Sequence, residues 1–234
     1  MKQFMNMKRK WLSYMCMAAL FSGALTSCNE SSLLNLSDPN YFTESNFWKD
    51  KADAESALAA AYSPIKGAMY GYFGAFDGWL NLNGRGDDIY TIKGEEVPMW
   101  NIANFLNSPS TGNDPYGALY SGIQRANIVL RYIDQIPASG ITEEDRSMIK
   151  GEALFLRGYQ YFLLVNNYKE VPLRLIPSYA DETNKAAATE AALWAQVEED
   201  LDNAIKCNLP VERSTAKERI TKGAAIAMLG KVYA

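Results

Sequence analysis

Apolar residues recur at three- and four-residue steps in five stretches of the chain, the spacing that places them on one face of an α-helix. The first stretch predicts a helix that begins at Asp50, because aspartate caps helix N-termini. Its apolar face consists of Ala54, Leu58, Ala61, Tyr62 and Ile65.

A second helix is predicted to begin at Asp114-Pro115, a cap residue followed by proline at the first helical position, and to end before Pro137. Its apolar face consists of Leu119, Ile123, Ala126, Leu130 and Ile133.

The third predicted helix has the clearest start. Thr142 and Asp145 have capping-box spacing, and the two glutamates between them suit the positive end of a helix dipole. Residues 153–165, ALFLRGYQYFLLV, are apolar on nearly every face, so other elements must cover the helix on several sides. Gly151 and Gly158 leave a groove for a close neighbouring helix. A membrane span is the competing interpretation, but the run is short and contains Arg157.

The rest of the chain predicts one extended segment and two more helices. KEVPLRLIPSY runs extended between prolines. A fourth helix follows Thr189 and ends by Pro210, and a fifth begins near Thr221. The apolar faces are Trp194, Val197, Leu201, Ala204 and Ile205 in the fourth, and Ala224, Ala227, Met228 and Val232 in the fifth. Because the fifth pattern has no terminating signal before Ala234, we expect this chain to be part of a longer protein.

These elements predict an all-α fold, a tetratricopeptide-like stack of helix pairs with long ordered loops. Trp194, Val197 and Leu201 have the spacing of a first repeat helix, and Gly223, Ala224 and Ala227 resemble the small residues of a second, although the connection between them is long. We expect residues 47–234 to form this domain.

Residues 67–117 do not fit a regular helix. Nine of the chain's sixteen glycines fall here, which indicates tight loops, and nine aromatic residues are interleaved with them. Long ordered loops on a rigid scaffold commonly carry binding sites.

Aromatic rings can cover the flat faces of sugars, while polar side chains bond their hydroxyl groups. The candidate ligand-binding residues in this segment are Trp79, Asn81, Arg85, Asp87, Asp88, Tyr90, Trp100 and Asn101. The alternative is that many of these rings form a small core beneath the loops. Trp79 and the Trp100-Asn101 pair are the strongest candidates for exposure.

Two further patterns in the segment are weak. Arg85-Gly86-Asp87 spells a cell-adhesion tripeptide, which we interpret as a loop turn. Asp87, Asp88, Glu95 and Glu96 could supply oxygen ligands to calcium, but their spacing fits no known calcium loop. We expect no metal site, no cofactor and no catalytic residue.

The N-terminal residues 1–27 have the pattern of an export signal, with four basic residues followed by an apolar stretch from Trp11 to Leu25. Leu25-Thr26-Ser27-Cys28 looks like a lipobox, in which the cysteine thiol takes the lipid and becomes the mature N-terminus. An ordinary secretory signal is the alternative. Residues 28–46 are polar and predict a tether. Several acyl chains on Cys28 would anchor the protein stably in a membrane.

Removing residues 1–27 takes four basic and no acidic residues, leaving 19 basic and 27 acidic ones, a net charge of −8. This balance argues against nucleic-acid binding. Cys207 then remains as a single thiol, so no intramolecular disulfide is expected. The chain has no histidine, which excludes serine–histidine and cysteine–histidine catalysis but leaves carboxylate chemistry open.

Five stretches, in this order, resemble the SusD/RagB family: the lipobox, SNFWKDKADAESALAAAY, LYSGIQRANIVL, GEALFLRGYQYFLLVNNYKEVPL and ITKGAAIAMLGKVYA. The resemblance covers essentially the whole mature chain but only the N-terminal part of a family member. Two positions depart from the family pattern: Lys169 stands where glycine is usual, and Gly158 where alanine is frequent. Both concern local packing. Of the family's functional residues only Cys28 is carried over, because glycan contacts vary among members.

The resemblance implies a lipoprotein of the outer membrane, anchored at the cell surface, without catalytic activity. It implies capture of an oligosaccharide, or in some members a peptide, and delivery to a TonB-dependent transporter. Two alternatives stay open from the residues. One is a lipid-anchored glycoside hydrolase using two carboxylates, although no pair stands out by spacing. The other is a helical scaffold that binds a peptide or protein partner.

Overall fold

A computed structural model describes residues 47–70, 86–87, 100–101, 103–106, 115–177 and 184–234. All lie in the compact unit Glu44–Ala234. The predicted export signal and the whole predicted tether, residues 28–46, lie outside the described residues. Five α-helices follow one another: α1 (Lys51–Tyr70), α2 (Tyr116–Tyr132), α3 (Glu143–Tyr168), α4 (Glu190–Lys206) and α5 (Lys222–Tyr233). A 3₁₀ turn, Ile133–Gln135, continues α2.

Helix α1 begins where the sequence predicts. The Asp50 carboxylate accepts hydrogen bonds from the backbone N–H groups of Ala52 and Asp53, at 2.8 and 3.1 Å. Two donors at the helix N-terminus that have no partner within the helix are thereby satisfied. Leu58 lies on the predicted apolar face and is fully buried against α2 and α3.

Helix α2 departs from the prediction at its start. It begins at Tyr116 with Pro115 in the N-cap position, and no side chain caps it, so proline stands one position earlier than expected. Asp114 lies outside the described residues. Ile123 is buried as predicted, but on the last turn Val129 is fully buried and Leu130 only half-buried. Leu119, Ala126 and Ile133 are buried as well, so the predicted face is confirmed except at Leu130.

Helix α3 is the central element and packs against each of the other four helices. Thr142 caps it, accepting a hydrogen bond from the Asp145 N–H at 3.1 Å. The Asp145 carboxylate accepts from the Thr142 hydroxyl rather than from a backbone group, and Lys51 of α1 bonds it at 2.8 Å. The hydrogen bond from Lys51 lowers the pKa of Asp145. The prediction that α3 is covered on several sides is confirmed.

The two glycines of α3 allow α4 and the chain after it to approach closely. A Cβ atom at Gly158 would lie 3.1 Å from Asp200 Cβ, and one at Gly151 would lie 2.8 Å from Cys207 Cβ. Because the later glycine faces Asp200 and the earlier glycine faces Cys207, the two helices run antiparallel. The groove predicted from the spacing of the glycines is confirmed.

This geometry predicts different outcomes for two alanine substitutions on one helix. Gly151→Ala is expected to destabilise the protein by about 1–3 kcal/mol, because the methyl group would collide with Cys207 Cβ and Leu209. Gly158→Ala is expected to be near neutral, because alanine gains up to about 1 kcal/mol of helix propensity against a milder contact. Urea unfolding of both variants checks this; equal losses would contradict it.

Helices α4 and α5 start at threonine caps, as predicted. Thr189 and Thr221 each accept a hydrogen bond from the N–H three residues later, at 3.3 Å. The buried stripes differ in detail from the expected faces. Leu193 is buried where Trp194 was expected, and Trp194 is half-buried; in α5 Ala225 is buried whereas Ala227 is exposed.

Helix α3 ends in a strained turn. Lys169 has φ 63° and ψ −72°, and the Glu170 N–H bonds the Tyr168 carbonyl at 2.8 Å, which makes a γ-turn centred on Lys169. A residue with a Cβ atom adopts this conformation at a cost, which explains why glycine would suit the position. The Lys169 ammonium bonds Glu190 at 2.8 Å. Residues 171–177 then continue without helix, as predicted.

The helices form an all-α, tetratricopeptide-like stack in which each packs against the next along the chain. One part of the core lies between α1, α2 and α3, and the other joins α2 and α3 to α4 and α5. Within the described ranges every regular element is helical. Residues 71–115 connect α1 to α2, two helices of the stack.

Candidate functional site

The described part of the aromatic- and glycine-rich segment contains a short helical turn formed by residues 100–101 and 103–106, called here the 100–106 turn. The Asn104 N–H bonds the Trp100 carbonyl at 3.0 Å, and the Leu106 N–H bonds the Asn101 carbonyl at 2.7 Å. Phe105 lies between them with φ 58°. The Leu106–Asn101 bond, which closes around a residue with positive φ, is the longer of the two bonds of a Schellman helix end, a motif that usually places glycine at the position of Phe105.

The turn presents apolar and amide groups at the surface. Phe105 is 69% exposed and Leu106 51% exposed. Asn104 is exposed, and its side-chain amide donates to the Trp100 carbonyl at 2.7 Å. Trp100 and Asn101, predicted as exposed ligand contacts, are half-buried. The turn therefore combines aromatic surface with amides, the combination that suits a sugar.

The backbone of Phe105 is costly to maintain. A side chain in the left-handed region brings Cβ close to the carbonyl group and costs roughly 1–2 kcal/mol. A large ring left mostly in water gains little from burial in return. Strained residues of this kind are concentrated at functional sites, and an observed strained conformation is a reason to suspect function.

The other predicted site residues are described only in part. Asp87 is exposed, and Gly86 and Asp87 lie in a bend and a turn, as the interpretation of the Arg85-Gly86-Asp87 tripeptide required. Residues outside the described ranges are Cys28, Trp79, Asn81, Arg85, Asp88 and Tyr90. Their role stays a prediction.

Sequence reasoning did not single out Asn104 and Phe105. Both belong to the segment predicted to carry the binding site, but nothing in the amino-acid sequence distinguishes an exposed phenylalanine from one in a small core. The sequence offers one indication. The short stretch that begins at Trp100 continues into Asn104-Phe105-Leu106, without the glycine that usually follows the end of a helix.

Arginines hold both carboxylates that are buried in the described part of the chain. Glu152 of α3 is fully buried and accepts from Arg213 at 2.6 Å, from Arg219 at 2.8 and 3.0 Å, and from the Tyr62 hydroxyl at 2.5 Å. Burial and the Glu152 charge raise the pKa of Tyr62. These hydrogen bonds link the α4–α5 connection to α1 and α3. The cluster consists of Tyr62, Glu152, Arg213 and Arg219.

The second buried carboxylate is Asp200 of α4, which pairs with Arg157 of α3 through two hydrogen bonds at 2.6 and 2.9 Å. Gln196 also donates to Asp200, and Arg157 donates to the Asn127 side chain. Burial raises the pKa of Asp200, and the Arg157 guanidinium opposes that shift. Since both Asp200 and Glu152 are engaged by arginine, neither is placed to act as a catalytic acid or base.

The described residues contain no cluster of side chains that could hold a metal ion. Asp88, Glu95 and Glu96 of the weak calcium pattern lie outside this part of the chain. None of the described helices, α3 included, combines the length and apolarity needed to cross a membrane.

Residues 88–234 match the SusD-like family, which is described as "Starch-binding associating with outer membrane". The chain belongs to the SusD-like family. The match covers α2–α5 and the turn at Trp100, and it confirms the resemblance seen in the sequence.

Two relatives show how far SusD-like similarity extends along the chain. SusD-like protein P38 of Formosa agariphila is 26% identical over 221 residues, which span 92% of this chain and 40% of the relative. SusD-like protein P25 of the same organism is 25% identical and covers 80% of this chain and 36% of its own. As the resemblance implied, the similarity covers part of a family member.

Solved SusD-like structures share the helical stack. A laminarin-binding SusD-like protein is 30% identical, has a TM-score of 0.71 and is matched over 80% of this chain and 40% of its own. A SusD superfamily protein from Bacteroides vulgatus is 31% identical, with a TM-score of 0.68 and the same coverage. The tetratricopeptide-like fold is therefore shared.

Proposed function

We propose that this SusD-like chain belongs to a non-catalytic lipoprotein of the outer membrane that captures an oligosaccharide. The family description and the laminarin-binding neighbour support this function. Among the described residues, the two buried carboxylates are held by arginine, so neither is free to act as the acid, base or nucleophile that a carboxylate glycosidase needs.

The observation that carries the proposal is the 100–106 turn. It exposes Phe105 in a strained conformation beside the amide of Asn104, and Trp100 and Asn101 lie in the same turn. In this proposal the rings cover sugar faces and the amides bond sugar hydroxyls. Trp79, Asn81, Arg85, Asp87, Asp88 and Tyr90 stay candidates for the rest of the site.

The test is calorimetric titration with maltooligosaccharides and laminarioligosaccharides, with a parallel assay for new reducing ends. Trp100→Ala and Phe105→Ala are each expected to weaken binding about tenfold or more, equivalent to about 1.4 kcal/mol. Tyr233→Ala is the matched control, because Tyr233 is a similarly exposed aromatic residue, at 68%, in α5.

Three results would count against the proposal. New reducing ends would establish an enzyme. Equal binding by wild type, Trp100→Ala and Phe105→Ala would move the sugar site away from the turn. Absence of binding to any oligosaccharide by the folded protein would refute glycan capture and favour a peptide ligand.

We further propose that Cys28 carries the lipid anchor and that the captured glycan passes to a TonB-dependent transporter. The lipobox supports the first step. Cys28→Ser is expected to abolish incorporation of labelled palmitate and to release the protein from the membrane fraction, because acyl chains supply the anchor. A membrane-bound, unlabelled Cys28→Ser protein would contradict the anchor. Failure to co-purify a TonB-dependent transporter with the wild-type protein would contradict delivery.

A further inference from the structure

Helix α1 contains a proline four residues after Ala60. Pro64 is buried, and the helix continues past it to Tyr70. Proline has no backbone N–H, so it cannot donate the bond that the Ala60 carbonyl would receive in an uninterrupted helix, and its ring pushes that carbonyl aside. Sharp bends in helices occur at such positions. This pair of residues, called here the Pro64 interruption, therefore weakens α1 shortly before the chain enters the 71–115 segment.

An arginine of α2 bonds the carbonyl at the Pro64 interruption. Arg125 Nη1 donates to the Ala60 carbonyl oxygen at 2.9 Å, and the two residues are 65 positions apart in the chain. The guanidinium thus supplies, from another helix, a hydrogen bond that Pro64 cannot supply. Hydrogen bonds from a charged donor are stronger than those between neutral groups. The bond therefore attaches α1 to α2 at the point where α1 is interrupted.

This bond lies at matching heights on the two helices. The Trp48 ring, just before α1, stacks on Tyr132 at the end of α2, with ring centroids 5.8 Å apart. Since Ala60 follows Trp48 and Arg125 precedes Tyr132, the two helices run antiparallel. Helix α1 continues ten residues past Ala60, and α2 begins nine residues before Arg125. At about 1.5 Å per residue, both ends of the 71–115 segment lie roughly 15 Å beyond the bond, at one pole of the helix pair.

We propose that Arg125 is a positioning residue of the oligosaccharide site. It fixes the direction of α1 after the Pro64 interruption, and so sets where the 71–115 segment leaves α1 relative to its return at α2. The inference rests on the proposed function, because it concerns the site that this segment is proposed to carry. Without the bond only a fraction of the molecules holds the site in its binding geometry, and the apparent affinity falls by that fraction.

Three variants of α2 arginines test the role. Arg125→Met removes the donor and keeps a long side chain, whereas Arg125→Lys keeps a charged donor. Arg131→Met is the matched control, because Arg131 is an exposed arginine in the last turn of the same helix. Calorimetric titration of the full chain with maltooligosaccharides and laminarioligosaccharides measures affinity, and urea unfolding measures stability separately. A bond that only stabilised the fold would lower stability and leave the affinity of the folded protein unchanged.

We expect Arg125→Met to bind about three- to tenfold more weakly than wild type, the effect of one hydrogen bond. Arg125→Lys should bind more tightly than Arg125→Met, since its ammonium can still donate to the carbonyl. Arg131→Met should bind as wild type does. Equal affinity of Arg125→Met and wild type would overturn the positioning role and leave glycan capture standing.

The Pro64→Ala background tests the interruption itself. Alanine restores an N–H at position 64, so the Ala60 carbonyl can be bonded within α1 and no longer depends on Arg125. Arg125→Met should therefore weaken binding less in the Pro64→Ala background than in wild type, the coupling expected of two residues that act on one carbonyl. An equal effect of Arg125→Met in both backgrounds would contradict the proposal.

Hydrogen exchange separates failure of this inference from failure of the proposed function, because it needs no ligand. The amides of residues 65–70 are expected to exchange faster in Arg125→Met than in Arg131→Met, since the turns after the interruption open more readily. Unchanged exchange there would overturn the inference even if the wild type binds oligosaccharide. If the wild type binds no oligosaccharide, the proposed function fails and a positioning role in a sugar site fails with it.

Discussion

Replacing Arg157 with methionine is expected to lower the free energy of unfolding by about 3–5 kcal/mol, the usual effect of removing one partner of a buried ion pair. The Asp200 side chain is 1% exposed and would keep only the hydrogen bond from Gln196. Asn127 would lose its contact with Arg157 as well. The loss therefore comes from an uncompensated buried charge between α3 and α4.

The Arg157→Met variant has a pH signature. Burial already raises the pKa of Asp200, and removing the guanidinium removes an interaction that opposes the shift. A group whose folded-state pKa is raised contributes stability below its unfolded pKa and loses it as pH rises through the folded value. The difference from wild type should therefore be larger at pH 8 than at pH 5, measured by urea unfolding at both.

The control for Arg157→Met is the double variant Arg157→Met/Asp200→Leu. Apolar residues of similar volume in place of a buried pair are often neutral or stabilising, so the double variant should recover much of the lost stability. A double variant as unstable as Arg157→Met, or a loss that is the same at both pH values, would show that the pair's charge is not the cause.

Replacing Glu152 with glutamine is expected to cost a similar amount, about 3–5 kcal/mol, because Arg213 and Arg219 would face a neutral amide. Arg219 keeps its second partner, Glu55, at 2.7 Å, whereas the remaining hydrogen bonds of Arg213 within the described residues go to the Ile220 carbonyl. The α4–α5 connection should therefore loosen first around Arg213. Hydrogen exchange of residues 207–221 measures this together with urea unfolding.

Glu143→Gln is the matched control for Glu152→Gln. Glu143 is also an α3 glutamate paired with an arginine, Arg146 at 2.9 Å, but its side chain is 82% exposed. Exposed pairs contribute about 0–1 kcal/mol, so this variant should unfold almost as wild type does. If the two variants behave alike, burial of Glu152 does not determine the strength of the cluster.

Caps and periodicity were sufficient to predict the five helices, because both are local properties of the sequence. Asp50, Thr142 and Thr189 bond the backbone groups that their positions imply. Which residue of a stripe is most buried depends on the neighbouring helix: Leu193 is fully buried, whereas Trp194 is half-buried with its ring against Phe162 of α3.

The polar pairs between residues far apart in the chain could not be predicted from the sequence. Arg157 served only as an argument against a membrane span, since its partner Asp200 is 43 residues away and no local pattern links them. The eight candidate residues named from the sequence share a segment with Phe105 but do not include it. Phe105 shows why: its exposure follows from a backbone conformation, φ 58°, that phenylalanine seldom adopts.

The cluster around Glu152 also has a consequence for the order in which the chain can fold. Arg213 and Arg219 follow Glu152 by 61 and 67 residues, so they leave the ribosome well after α3 has been made. Until then the carboxylate has no cation to offset its burial, and the tight contact between α1 and α3 at Tyr62 is disfavoured. The N-terminal helices are therefore expected to stay loosely associated during synthesis and to close only when residue 219 arrives.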